Sequence, residues 1–194
     1  MKRVPVLVLA LLLMGLLGEN HATDGIPPLP SGLPRHVFLD KVPHFYQKKD
    51  ECGPTSFGMV LRYWHVPVTR EEVDAGSHWQ PGQGATTGNL IRVVTGLGLK
   101  VRSYSGDLAE LMKNLAQKRP VIVGQWFNEK AKQVGGKGHL RVAIGYDYDQ
   151  RVVFINDPSR KGPSVLNFKE FLSLWDRRDA KESRTHNLMI VITK

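Results

Sequence analysis

At Pro120 the sequence changes period, and that change limits the chain to few architectures. Beyond it, VIVGQW (121–126), HLRVAIGYD (139–147), RVVFIND (151–157) and LMIVITK (188–194) are rich in β-branched residues and bounded by turn residues, so each predicts a strand. Tyr148-Asp149-Gln150 is a short connection that predicts an antiparallel hairpin between the second and third of these runs. Before Pro120 the apolar residues recur at helical spacing instead: Phe57, Val60, Leu61 and Trp64, then Leu90, Val93, Val94 and Leu97, then Leu108, Leu111, Met112 and Leu115. Thr86 or Thr87 caps the second of these helices and Gly98 stops it, while Asp107 with Glu110 caps the third. Thr69 with Glu72 opens a further short helix from Arg70 to about Ala75, and LKVRSY reads as a strand. Helices first and strands afterwards predict an α+β domain, its helices packed on a mostly antiparallel sheet. Phe168, Phe171, Leu172 and Trp175 mark one more short helix with an aromatic stripe for the core. The glycine-rich loop from Phe127 to Gly138 reads as mobile and as the flank of a cleft.

The N-terminus has a different character. Lys2 and Arg3 precede an apolar run from Val4 to about Leu17, shorter than the ~18 residues of a membrane span, which reads as a secretory signal peptide over residues 1–22. Cleavage is expected after Ala22, although Glu19 and Asn20 depart from the usual small-residue site, and an uncleaved anchor is the alternative. Residues 23–35, with Pro27, Pro28, Pro30 and Pro34, read as an extended, weakly ordered linker, so that the domain proper runs over 36–194. The formal net charge of +9 becomes +8 once Lys2, Arg3 and Glu19 are removed. That balance favours association with an anionic envelope surface. The basic residues are scattered among acids, however, which argues for a solvated basic face and against nucleic acid.

Export sharpens the meaning of the single cysteine, which cannot form an internal disulfide in an oxidising space. Cys52 stands at a strand-to-helix corner, with Pro54 suited to the first turn. There the free backbone N–H groups and the positive end of the helix dipole favour thiolate over thiol. A lone cysteine is more often a small buried hydrophobe, so a nucleophile also requires a base and an orienting group elsewhere in the chain.

His139 meets the first requirement: it begins a largely apolar strand at the mouth of the glycine-rich loop, where the sheet would hold it rigidly yet leave it exposed. The paired strand ends at Asp157, and a hairpin of this length sets the two residues side by side. In this Cys…His…Asp order, His139 takes the thiol proton and Asp157 fixes its tautomer and orientation. Gln47 and the backbone N–H of Cys52 are candidate donors to a developing oxyanion.

Gln47 with Cys52-Gly53-Pro54-Thr55-Ser56, Gly138-His139 leading to Gly145-Tyr146-Asp147, and Asn156-Asp157-Pro158 together resemble the papain-like peptidases that process bacteriocin double-glycine leaders, and their stand-alone relatives. The resemblance implies a papain-like cysteine peptidase fold with Cys52 as nucleophile, His139 as base, Asp157 as orienter and Gln47 in the oxyanion hole. It implies a peptide or protein substrate and no cofactor. In papain itself the oxyanion glutamine stands one residue further from its cysteine than Gln47 does from Cys52. The leader-processing enzymes work on the cytoplasmic side, so an exported relative points away from double-glycine leaders. A transferase sharing the acyl-enzyme chemistry, a non-catalytic papain-like scaffold of the cell envelope, and a metal site of Cys52 with His44 and His65 are the competing readings.

Overall fold

The computed structural model describes residues 26–176 and 186–194. The expected signal peptide, its cleavage point and the first residues of the expected linker lie outside these. Among the described residues no helix is long and apolar enough to cross a membrane. The elements run β1 (His36–Phe38), α1 (Cys52–Tyr63), α2 (Arg70–Gly76), α3 (Thr87–Gly96), β2 (Lys100–Ser105), α4 (Leu108–Ala116), β3 (Val121–Trp126), α5 (Glu129–Gln133), β4 (Gly138–Asp147), β5 (Val152–Asn156), β6 (Ser164–Asn167), α6 (Phe168–Trp175) and β7 (Leu188–Thr193).

The strands form one antiparallel sheet in the order β2-β7-β3-β4-β5-β6, with β1 also paired to β4. This is the α+β arrangement that the change of period predicts, in the papain-like form that the resemblance implies. Helices α1 and α4 pack on β4, and α6 packs on β3. Both strands are therefore buried along most of their length, which explains why they read as nearly continuous apolar runs. The aromatic stripe of α6 lies in the core as expected, with Phe168, Phe171 and Trp175 wholly buried.

The caps explain where helices start. Thr69 and Glu72 form the reciprocal capping box of α2, and the side chains of Thr86 and Asp107 accept from the backbone N–H groups of Asn89 and Glu110. At Gly145 a side chain is excluded by the fold: a Cβ there would lie 2.2 Å from the Val37 carbonyl oxygen and 3.0 Å from Phe38 Cα. Glycine is what lets β1 lie against β4 at this point, beside the register shift between Ala143 and Gly145.

Two expectations need correction. The segment from Ile26 to Arg35 is extended but not weakly ordered: Ile26, Leu29 and Leu33 pack against the core. The Tyr146 hydroxyl donates to the Pro34 carbonyl at 2.6 Å, and Arg35 pairs with Asp149. The apolar residues between the prolines thus have a surface to cover. The loop from Phe127 to Gly138 contains α5, capped by Asn128, whose side chain accepts from the Ala131 N–H at 2.8 Å.

Candidate active site

Cys52 is the first residue of α1, immediately after the N-cap residue Glu51. The N–H of Thr55 donates to the Glu51 carbonyl at 3.0 Å, and Pro54 has no N–H, so the donors at this helix start without a backbone acceptor are those of Cys52 and Gly53, the latter turned to the Cys52 sulfur. Gly53 packs closely on the Leu90 side chain, since a Cβ there would lie 2.7 Å from Leu90 Cδ1 and the leucine would have to shift. Ser56, one turn on, donates from Oγ to the Leu140 carbonyl at 3.0 Å and ties the helix start to the first residues of β4.

His139 is the second residue of β4, opposite Gln125 of β3. Its ring Nε2 lies 2.7 Å from Asp157 Oδ1, and the Cys52 thiol lies near enough to the ring for each to shift the other toward its charged form. Because Asp157 takes Nε2, Nδ1 is left for the sulfur. The structure thus brings Cys52, His139 and Asp157 into one series. His139 is not exposed as the strand-end position suggested; it is 3% exposed, with the Phe127 ring edge-on at 5.1 Å between centroids.

Asp157 is equally enclosed. Besides His139, its Oδ1 accepts from the Ser159 N–H at 2.9 Å and Oγ at 2.7 Å, and its Oδ2 accepts from Arg141 Nε at 2.8 Å. The backbone around it is fixed from the N-terminal side. Asn156 Nδ2 donates to the carbonyls of Val42 and Pro43, His44 Nε2 lies 3.1 Å from the Asp157 carbonyl, and the Gln47 N–H donates to the Pro158 carbonyl at 2.8 Å. Gln47 is thereby held beside the Asp157 turn, with its Oε1 buried and unpartnered. The competing metal grouping does not form, since no cluster of three metal-binding side chains occurs among the described residues.

The electrostatics follow from these contacts. Burial alone would raise the Cys52 thiol, but the hydrogen bond and charge of His139, aided by the backbone at Leu140 and Gly53, hold it below the ordinary thiol value. Burial would lower His139, yet its bonds to Asp157 and Cys52 lift it above the ordinary imidazole value despite the Arg141 cation. Burial also opposes the charge on Asp157, but His139 and Arg141 hold this carboxyl well below the usual carboxylate range. Each of the three groups is thus shifted toward its charged form, thiolate, imidazolium and carboxylate.

Cys52 and His139 open into a groove of about 580 Å³, walled by residues 82–88 on one side and 136–138 on the other. Asp50 and Lys137, each two residues before Cys52 and His139, form an ion pair of 3.1 Å between those segments. Gln47 is not among the lining residues. Arg141 and Ser159 are the participants that sequence reasoning missed. Arg141 was detectable, since it stands two residues after His139 on a strand and so on the same face, as the lone charge in an apolar run.

Residues 39–182 match the model of a family described as the Peptidase_C39 like family. No curated protein matches the chain. Among solved structures, a double glycine motif protease from an AMS/PCAT transporter, in complex with the leader peptide, is 25% identical with a TM-score of 0.56 over 86% of this chain and 97% of that one. The peptidase domain of Streptococcus ComA, a bifunctional ABC transporter involved in a quorum sensing pathway, is 18% identical with a TM-score of 0.59, covering 78% and 98%. Xylellain, a cysteine protease from Xylella fastidiosa, is 13% identical with a TM-score of 0.62, covering 87% and 90%. The latter two likenesses are likenesses of fold.

Proposed function

We propose that this chain, which belongs to the Peptidase C39 like family, is an exported cysteine peptidase that cleaves a peptide or amide bond through an acyl-enzyme on Cys52. The observation that carries the reading is the series Cys52, His139, Asp157 at the edge of a groove, with His139 and Asp157 buried, Cys52 half-buried, and thiol and imidazole each shifted toward the charged form. In acylation the thiolate adds to the carbonyl carbon, and the oxygen takes up negative charge. The N–H of Cys52, at the start of α1, donates to that oxygen, and the amide of Gln47, which does not line the groove, is the candidate second donor. His139 then gives its proton to the departing amine as the C–N bond breaks, leaving a thioester on Cys52. In deacylation His139 removes a proton from water, the hydroxyl adds to the thioester, and the C–S bond breaks to release the carboxylic acid and restore the pair. Throughout, Asp157 holds the ring with Nδ1 toward the sulfur.

A peptide substrate is supported by the 25% identical relative, whose structure holds a leader peptide. The segment after Lys2 and Arg3 reads as an export signal, so here the peptide is met outside the cytoplasm.

The test is hydrolysis of a peptide library by the wild-type chain and by Cys52→Ala, with melting temperature recorded for both. Cleavage at defined bonds that disappears in Cys52→Ala, with melting nearly unchanged, is the expected result. Cleavage that survives in Cys52→Ala overturns the thiol mechanism, and a wild-type chain whose Cys52 is alkylated but which cuts no peptide overturns the peptidase reading.

A further inference from the structure

Building on the peptidase reading, we propose that Arg141 is a positioning residue that keeps Asp157 ionised at every stage of the cycle and so keeps His139 able to surrender its proton. Arg141 is 5% exposed, and its donors are met by fixed acceptors. Nε donates to Asp157 Oδ2 at 2.8 Å, Nη1 to Gln125 Oε1 and the Trp126 carbonyl at 3.1 Å each, and Nη2 to the Phe127 carbonyl at 2.8 Å. Three of these acceptors belong to β3 and the turn that follows it, so the guanidinium is anchored independently of the group it serves. It does not lose its proton.

The consequence lies in the charge count. In the resting pair, thiolate, imidazolium, carboxylate and guanidinium sum to zero within one buried site. Once Cys52 is acylated and His139 has given its proton away, Asp157 and Arg141 remain, and the sum is again zero. Without Arg141 the second state would hold a carboxylate, 2% exposed, with no opposite charge. That state is costly, so His139 would retain its proton instead.

Among the described residues, no other group facing the pair replaces this cation. Arg160 Nε is 3.9 Å from Oδ2, but its side chain is 66% exposed and screened by water. Glu129 and Glu170 line the small cavity next to Arg141 and Asp157 and carry the opposite sign, and His44 meets only the Asp157 carbonyl. Lys137 is already paired with Asp50 at the groove. Arg141 also holds the carbonyl of Phe127, the residue whose ring covers His139.

The experiment compares the wild-type chain, Arg141→Met and Arg141→Lys by the pH profile of Cys52 alkylation, per folded molecule, and by peptide turnover. The upper inflection of the alkylation profile reports loss of the His139 proton. In Arg141→Met it should move up by about one pH unit or more, with turnover reduced about tenfold or more. Arg141→Lys keeps the charge, so its inflection should stay at the wild-type position, while turnover falls because a lysine cannot hold the two carbonyls and Asp157 at once. An unmoved inflection in Arg141→Met, or one that moves as far in Arg141→Lys, overturns the proposal. If Arg141→Met does not fold, Arg141→Gln, which removes the charge while keeping an amide to donate, takes its place, and an inflection that stays in Arg141→Gln overturns the proposal. Alkylation needs no substrate, so a wild type that cuts no peptide overturns the peptidase reading without altering this readout.

Discussion

Replacing Asp157 by Asn should disable the site almost completely, and the reason lies in which atoms surround the carboxylate. Asp157 Oδ2 takes its hydrogen bond from Arg141 Nε, with Arg160 Nε 3.9 Å away, and both are charged donors that cannot accept. An asparagine must therefore turn its oxygen to Arg141 and its NH₂ group to the place of Oδ1. There it meets Ser159 Oγ, which can rotate to accept, the Ser159 N–H, which cannot, and His139 Nε2. The ring responds by making Nε2 the acceptor, which moves its proton to Nδ1, toward the sulfur. A ring in that tautomer cannot take the thiol proton, and a wrong tautomer costs about 10³–10⁴-fold in turnover. Stability should fall toward the lower end of the ~3–5 kcal/mol of a broken buried pair, because Arg141 keeps one acceptor but loses its counter-charge. The assay is peptide turnover together with the pH profile of Cys52 alkylation, in which a wild-type plateau reaching below the range of an ordinary thiol should give way to an ordinary thiol curve. The double variant Asp157→Asn with Arg141→Met frees the amide to turn its oxygen back to His139. It should recover activity about tenfold over Asp157→Asn alone, an estimate for restoring the correct tautomer without the charge. Retention of the plateau in Asp157→Asn, or of more than about a tenth of wild-type turnover, would refute the tautomer argument.

Two further outcomes test the frame around the site. Gly145→Ala drives a Cβ into the backbone of β1 at Val37 and Phe38, atoms that cannot rotate away, and should cost about 3 kcal/mol by urea unfolding; a loss under about 1 kcal/mol would show that β1 moves aside freely. Asp157 has a depressed folded-state pKa, so the stability it contributes is complete above the ordinary ~3.9 and is lost as pH falls through the folded value. Urea midpoints should therefore decline below about pH 4, and Asp157→Asn should flatten that decline; an equal slope in both proteins would contradict the assignment.

What the sequence made legible was local. Pro54 and the apolar spacing after it marked the start of α1, and the short link at Tyr148-Asp149-Gln150 marked the hairpin that carries His139 and Asp157 to one edge. What it hid depended on segments meeting from a distance. The burial of His139 comes from Phe127, on a stretch that reads as loop, folding back over the ring. Helix α5 is a single short turn with no buried residue, so it has no apolar period to find. Strand β6 is four residues long, and only its register against β5 distinguishes it from the loops beside it. The partial burial of Leu29 and Leu33 between prolines is likewise a product of the surface they land on, which composition does not describe.

The staples on the N-terminal segment set a direction for the molecule. Tyr146 and Tyr148 reach the carbonyls of Pro34 and Pro27, and Arg35 pairs with Asp149, all at the turn end of the β4–β5 hairpin. His139 and Asp157 lie at the opposite end, about 30 Å away for a ten-residue strand. A tether, anchor or fused partner placed before Ile26 would therefore leave the domain beside the turn end of the hairpin, with the length of β4 between it and His139. A bulky substrate held at the sulfur would then sit a strand's length from that mooring.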